Sequence, residues 1–286
     1  MKNNFIMRSL LILSVLVTGC SKLEIVYDLA PGFIAGKMDD YFDLDVKQEF
    51  QLKAAIRSEL DRIVMSELPQ YIELEKEWIR QLQKKDLTLA EVKKLNDSTR
   101  DWLFHVFATM EPALLPLALE LSPKQLEYFH KKVLEDLAEN EEKTSTPKGQ
   151  KKELRRRFEF GLNWNFDGLS SSEEKLFESW LDVAGYPFKD EGISRKQSAQ
   201  LFFDASKNPM TFKAHLEGIF RKPLALRTKE YAQKLDIVLN SYRDLQWKML
   251  AQSTDKDRKR RVEHTEDHIE QLTKLREKIL KSKAKK

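Results

Sequence analysis

An all-α fold, a multi-helix bundle with a long C-terminal antiparallel helical hairpin, is what this sequence predicts, and four observations predict it. Glycine is scarce, nine among 286 residues. No Asn-Gly or Asp-Gly joins two alternating apolar runs as a β-hairpin requires; Asp167-Gly168 instead precedes a helical start. Prolines follow capping residues at Ser122-Pro123, Thr146-Pro147 and Asn208-Pro209. There the cap oxygen accepts from free amides, and proline fills the first helical position without losing a hydrogen bond. Finally, a phrase of hydrophobic residue, cap, two residues, then Gln or Glu recurs with the spacing of a capping box.

That phrase reads Leu44-Asp45-Val46-Lys47-Gln48, then Leu87-Thr88-Leu89-Ala90-Glu91, then Leu121-Ser122-Pro123-Lys124-Gln125. It continues as Leu169-Ser170-Ser171-Ser172-Glu173 and Ile193-Ser194-Arg195-Lys196-Gln197, with a looser Thr254-Asp255-Lys256-Asp257. Its uneven spacing excludes a fixed-period solenoid. Between caps the apolar residues recur at helical intervals: Leu126, Phe129, Val133 and Leu137 form one stripe, and Phe50, Ile56, Leu60, Ile63 and Val64 a looser one. Glu139 to Gln150 is the most polar interior stretch, expected as an exposed loop and the candidate lobe break. Near the end, Leu224, Tyr231, Leu235, Val238, Tyr242, Leu245 and Met249 alternate three-four, and Val262, Thr265, Ile269, Leu272, Arg276 and Ile279 repeat the seam. Two such helices joined by a short polar turn are expected to pair as the hairpin.

The first residues have a different character. Lys2 and Arg8 precede the apolar run Leu10 to Val17, which is too short to span a bilayer core of ~30 Å and reads as a signal segment over residues 1–19. Leu16-Val17-Thr18-Gly19-Cys20 matches the lipobox, in which small residues before a cysteine direct cleavage there and the thiol takes up lipid. Cys20 is the single cysteine, so acylation uses the one thiol and disulfides have no role. Several acyl chains, at ~0.8 kcal/mol per buried CH₂, anchor a protein stably. Ser21, in place of an aspartate, favours the outer membrane's inner leaflet, with the body facing the periplasm. The expected organisation is signal peptide 1–19, lipid-anchored linker 20–45 and helical body 46–286.

Charge narrows the partners. Without Lys2 and Arg8, the 50 basic groups become 48 against 46 acidic ones, a net charge of +2. A balance this close, in a secreted chain, argues against nucleic acid as partner. Lys256 to Arg261 and Arg276 to Lys286 are locally basic. As the tip and tail of a hairpin they would suit anionic lipid headgroups, lipopolysaccharide phosphates or peptidoglycan carboxylates, or else simply complement helix C-termini.

Catalytic signatures are missing: there is no serine elbow, phosphate loop or dinucleotide fingerprint, and the sequence implies no cofactor. His264 and His268 stand four apart on a helix, the spacing of a zinc pair, yet no third ligand adjoins them; a solvated helix face is the simpler reading. A carboxylate pair for glycan hydrolysis would meet only in the fold. The chain is therefore read as no enzyme.

Asp39-Asp40-Tyr41-Phe42-Asp43-Leu44-Asp45 packs four aspartates into seven residues, so these must cap, pair or present themselves to a partner. The lipobox cysteine, a short spacer containing Tyr27, this acidic-aromatic signature and the long helical remainder resemble a family of bacterial envelope lipoproteins of unassigned function. The resemblance is specific over residues 16–48 and implies an all-helical envelope lipoprotein, with no substrate or cofactor. The Leu-Ser-x-x-Gln phrases also resemble those of Spy-type periplasmic chaperones. The leading expectation is a non-enzymatic interaction or scaffold lipoprotein with an envelope protein partner, Asp39, Asp40, Tyr41, Phe42 and Asp43 being candidate contacts. A periplasmic chaperone and a carboxylate-based cell-wall hydrolase stand as alternatives.

Overall fold

A computed structural model describes residues 20–284; the signal segment 1–19 and the last two lysines, Lys285 and Lys286, lie outside the described residues. Among the described residues every regular element is helical and none is a strand. In chain order the helices are α1 Cys20–Phe42, α2 Val46–Arg62, α3 Leu68–Gln83, α4 Leu89–Thr109, α5 Glu111–Leu119, α6 Pro123–Lys143, α7 Pro147–Phe166, α8 Ser171–Val183, α9 Phe188–Ser206, α10 Pro209–Arg221, α11 Lys229–Gln252 and α12 Asp255–Lys283. A π-helical turn, Ile63–Glu67, joins α2 to α3, and a 3₁₀ turn, Pro223–Leu226, precedes α11.

The capping grammar largely governs where these helices begin. Asp45, Thr88, Ser122, Ser170 and Thr254 each form a complete capping box, while Thr146 and Asn208 cap through their side chains alone. Ser194 is the exception, since it lies inside α9. That helix starts earlier, after Pro187, where Asp190 and Glu191 place negative charge in the first turn. Ser194 still accepts a backbone hydrogen bond at 3.0 Å, from Thr228, the cap residue of α11.

Helix α1 lies antiparallel on α2, with Tyr27 against Asp61 and Arg57 reaching Asp28. The stretch expected as a linker is thus helical from residue 20 to residue 42, and it packs on α2, α6 and α12. The expected loop at 139–150 is also mostly helix, with only residues 144–146 between α6 and α7. Among the described residues no single helix is long and apolar enough to cross a membrane.

The final two helices are the longest, and a two-residue turn joins them. Beyond it they part, which corrects the expected hairpin. α11 lies along α4 and α8, whereas α12 runs antiparallel to α3: Arg258 reaches Lys84, His268 reaches Glu75 and Arg276 reaches Met65. A narrow seam demands an apolar partner but does not name one. Here the seam of α12 closes on Leu23, Tyr27, Val64 and Leu68, while α11 contributes Val238, Leu245, Met249 and Leu250 to the main core with Phe166, Phe177 and Trp180.

The basic run at 256–261 supplies a second reason for the divergence. Arg258 donates to the carbonyls of Leu82, Lys84 and Leu250 at 2.9, 3.0 and 2.6 Å. Arg260 binds Asp167, and Arg261 donates to the Phe166 carbonyl at 3.0 Å. Three arginines thereby satisfy carbonyls at the C-terminal ends of α3, α7 and α11, where four such groups per helix lack an internal partner. These side chains point inward, not to a basic tip.

Candidate functional site

The acidic-aromatic signature forms an elbow between α1 and α2. To reverse direction within three residues the backbone passes through the left-handed region at Asp43, φ 49°, which aspartate tolerates better than most side chains. Asp39 accepts the Leu44 amide at 2.8 Å, closing the end of α1. Asp45 caps α2: its carboxylate takes the Gln48 amide at 2.8 Å while the Gln48 side chain takes the Asp45 amide at 3.1 Å. Leu44, just ahead of the cap, packs toward the small core of Ala35, Leu52 and Ile56.

A second capping box meets the first there. Gln125, the third residue of α6, donates to the Gln48 side-chain oxygen at 2.6 Å and to the Asp43 carbonyl at 3.0 Å. Two helix N-termini are thus tied side by side through neutral amides. The signature's aromatics complete the joint. Phe42 is buried and stacks on Phe129 of α6, with centroids 4.6 Å apart. Tyr41 donates to Asp136, which also holds Lys132 at 3.2 Å. Burial, reinforced by the Asp136 hydrogen bond, pushes the Tyr41 phenol well above its usual range.

The candidate contacts therefore divide. Tyr41 and Phe42 face the body, whereas Asp39, Asp40 and Asp43 remain exposed, Asp40 pairing with Lys37 at 2.5 Å. The first two turns of α2 add what sequence reasoning placed elsewhere. Phe50, assigned above to a core stripe, is 73% exposed, and Val46, one turn before it, is 85% exposed. The buried phase of α2 is instead set by Leu52, Ile56 and Glu59. An (i, i+4) apolar pair in solvent beside exposed aspartates was visible in the sequence only as two residues out of phase with that stripe.

The two histidines do not converge on a common ligand position. His264 Nδ1 lies 3.5 Å from an Asp167 oxygen, and His268 Nδ1 lies 3.6 Å from Glu75. His268 is boxed edge-on by Trp164 at 4.7 Å. Between the histidines is a cavity of about 10 Å³, the size of one water. Among the described residues no three His, Cys, Asp or Glu side chains gather in a way that could hold a metal ion. Cys20 is the first described residue and begins α1.

Elsewhere arginines bridge pairs of acidic side chains. Arg62 sits between Glu59 at 2.8 Å and Glu67 at 3.2 Å, and Arg155 binds both Glu174 and Glu178. Hydrogen bonds from Lys151 and Arg155 hold the Glu178 carboxyl below its usual range, whereas a general acid must keep its proton.

Against known proteins, a family model described as a family of unknown function (DUF6279) matches residues 40–232. No curated protein and no solved structure matches the chain.

Proposed function

The chain belongs to this family, DUF6279, and we propose that it serves as a lipid-anchored, non-enzymatic scaffold of the cell envelope whose elbow recognises a partner protein. In this reading Cys20 carries the lipid, the anchor sits in the inner leaflet of the outer membrane, and the helical body faces the periplasm. One observation carries the recognition role: Val46 and Phe50 stand in solvent among Asp39, Asp40, Asp43 and Asp45. Neighbouring exposed apolar side chains rimmed by polar groups are the pattern of a protein interaction site. The complementary surface is an apolar ridge flanked by Lys or Arg.

Lipid anchoring is supported by the lipobox, and α1 places the elbow at the end away from Cys20. With 23 residues at ~1.5 Å per residue, α1 holds the elbow on the order of 30 Å from the anchor. The arginine-bridged carboxylates support a non-catalytic role.

A photo-crosslinking residue at Phe50, introduced in living cells, tests the recognition. A single saturable protein adduct that disappears with Asp43→Lys is the expected result. A smear of many envelope proteins would overturn it in favour of a chaperone. Intact-mass measurement on the membrane fraction tests the anchor separately, with a chain starting at Cys20 and carrying acyl groups expected.

A further inference from the structure

Two features near the start of α1 are unexplained by the elbow. Ile25 and Leu29, one turn apart on its outer side, are 51% and 66% exposed, and they follow Cys20 by one and two turns. Beside them the last turns of α12 run parallel to α1: Lys278 reaches across to Glu24, and Lys283 joins Tyr27 on Asp61. In sequence, residues 276–286 carry six cations against Glu277 alone, which Lys281 meets at 3.8 Å. Lys274, Lys278 and Lys281, with Glu277 and Ser282, line one shallow open depression on α12.

Exposure along α1 changes character from one end to the other. Near Cys20 the outward side chains are Ile25, Leu29 and Asp28, the last answered by Arg57 at 3.4 Å, with lysines of α12 adjacent; at the far end they are Asp39 and Asp40. A bilayer with anionic headgroups attracts the first surface and repels the second. Burial of two large aliphatic side chains at the headgroup boundary, combined with lysines, is the chemistry of an interfacial helix.

We infer that Ile25 and Leu29 of α1, together with the lysines of the α12 C-terminus, form a face that lies on an anionic lipid surface and turns the acidic elbow away from it. This rests on the proposed anchoring at Cys20, which brings that face to the bilayer, but the contact itself belongs to side chains other than the cysteine. Lipid on Cys20 fixes where the protein is, and this face fixes which way it stands. With four carboxylates clustered at the elbow, the reverse orientation would bring like charges together.

The test uses residues 20–286 with Cys20→Ser, a chain that contains every helix described above and no acyl group. It is sedimented with phosphatidylethanolamine vesicles holding roughly 30% phosphatidylglycerol and, in parallel, with wholly zwitterionic vesicles. Preferential binding to the anionic vesicles is expected, weakened on the order of ten-fold by Ile25→Ser with Leu29→Ser and about five-fold by Lys281→Gln. All three side chains are exposed, and circular dichroism of each variant confirms an intact fold. Equal partition into both vesicle types, no binding, or binding indifferent to these substitutions would overturn the inference. Failure of the anchor reads out elsewhere, as a wild-type chain without acyl mass. The lipid face and the lipid anchor therefore fail separately.

Discussion

The elbow at residues 43–48 and the junction at residues 167–173 are built from the same parts. Each turns through an aspartate in the left-handed region, with φ 49° at both Asp43 and Asp167. Each follows with a leucine, Leu44 or Leu169, that packs toward a core, then a cap and a returning third residue: Asp45 with Gln48, Ser170 with Glu173. What differs is the element that arrives from elsewhere in the chain. Gln48 meets the neutral Gln125. Glu173, only 1% exposed, meets Arg261, which is wholly buried.

At the junction the charge is fully answered. Arg261 grips both Glu173 oxygens at 2.7 and 2.8 Å, donates to Ser253 at 2.6 Å and to the Phe166 carbonyl at 3.0 Å, and lies 4.6 Å from the Phe166 ring centroid. Such a pair is not a net source of stability by default, because desolvating both ions offsets most of their attraction. Its significance lies in what happens when it is broken. Arg261→Ala leaves a buried carboxylate uncompensated and is expected to destabilise by about 3–5 kcal/mol. At the elbow, Gln48→Ala removes neutral hydrogen bonds at a half-buried site, for an expected cost of about 1 kcal/mol. Urea denaturation of both variants checks the contrast, and equal losses would mean the two turns are energetically alike.

How much of this was legible in the sequence follows from the range over which each signal acts. Caps are local: the side chain at Asp45, Thr88, Ser122, Ser170 or Thr254 acts on amides within three residues, so its meaning survives without the fold. Ser194 misled because a cap-like phrase inside a helix looks identical until an earlier start, after Pro187, competes with it. The seam of α12 fixed which of its faces is apolar and left α3 as partner undetermined. At the site, the four aspartates announced caps, ion pairs or a partner surface but not the left-handed turn at Asp43, and nothing local distinguishes Phe42, stacked on Phe129, from Phe50, which stands in solvent. That distinction depends on α6, some eighty residues away in the chain.

The regions also separate by pH. On α7, burial raises the Glu153 carboxyl, but the hydrogen bonds and charges of Arg156 and Arg157 outweigh it and hold the group below its usual value of 4.5. A folded-state pKa below the unfolded one contributes stability above the unfolded value, and that contribution is lost as pH falls through the folded value. Helix α7 and the junction it leads into are therefore expected to weaken below about pH 4.5, and Glu153→Gln should flatten the acid limb of a stability-against-pH curve. Tyr41 works in the opposite sense. Its phenol is raised by burial and by Asp136, so its contribution is complete below its ordinary value of 10.0 and is lost as pH rises beyond it. Tyr41→Phe should flatten part of the alkaline limb and leave the acid limb unchanged. An effect of either substitution on the other limb would break the assignment.

The smallest expected effects separate the two aspartates themselves. Replacing either by glycine relieves the left-handed backbone but adds unfolded-state entropy, and the two nearly cancel. Asp43→Gly, whose carboxylate faces solvent, should therefore stay within about 0.5 kcal/mol of the parent. Asp167→Gly makes the same exchange but also loses Arg260 at 2.9 Å and His264 at 3.5 Å, a partly exposed tie expected to cost about 1 kcal/mol more. If both substitutions prove equally mild in thermal unfolding, the Asp167 carboxylate does no structural work beyond setting the turn. If Asp43→Gly is silent in stability yet weakens partner crosslinking through Phe50, that carboxylate serves recognition. The same turn would then be spent on holding the body together in one place and on facing outward in the other.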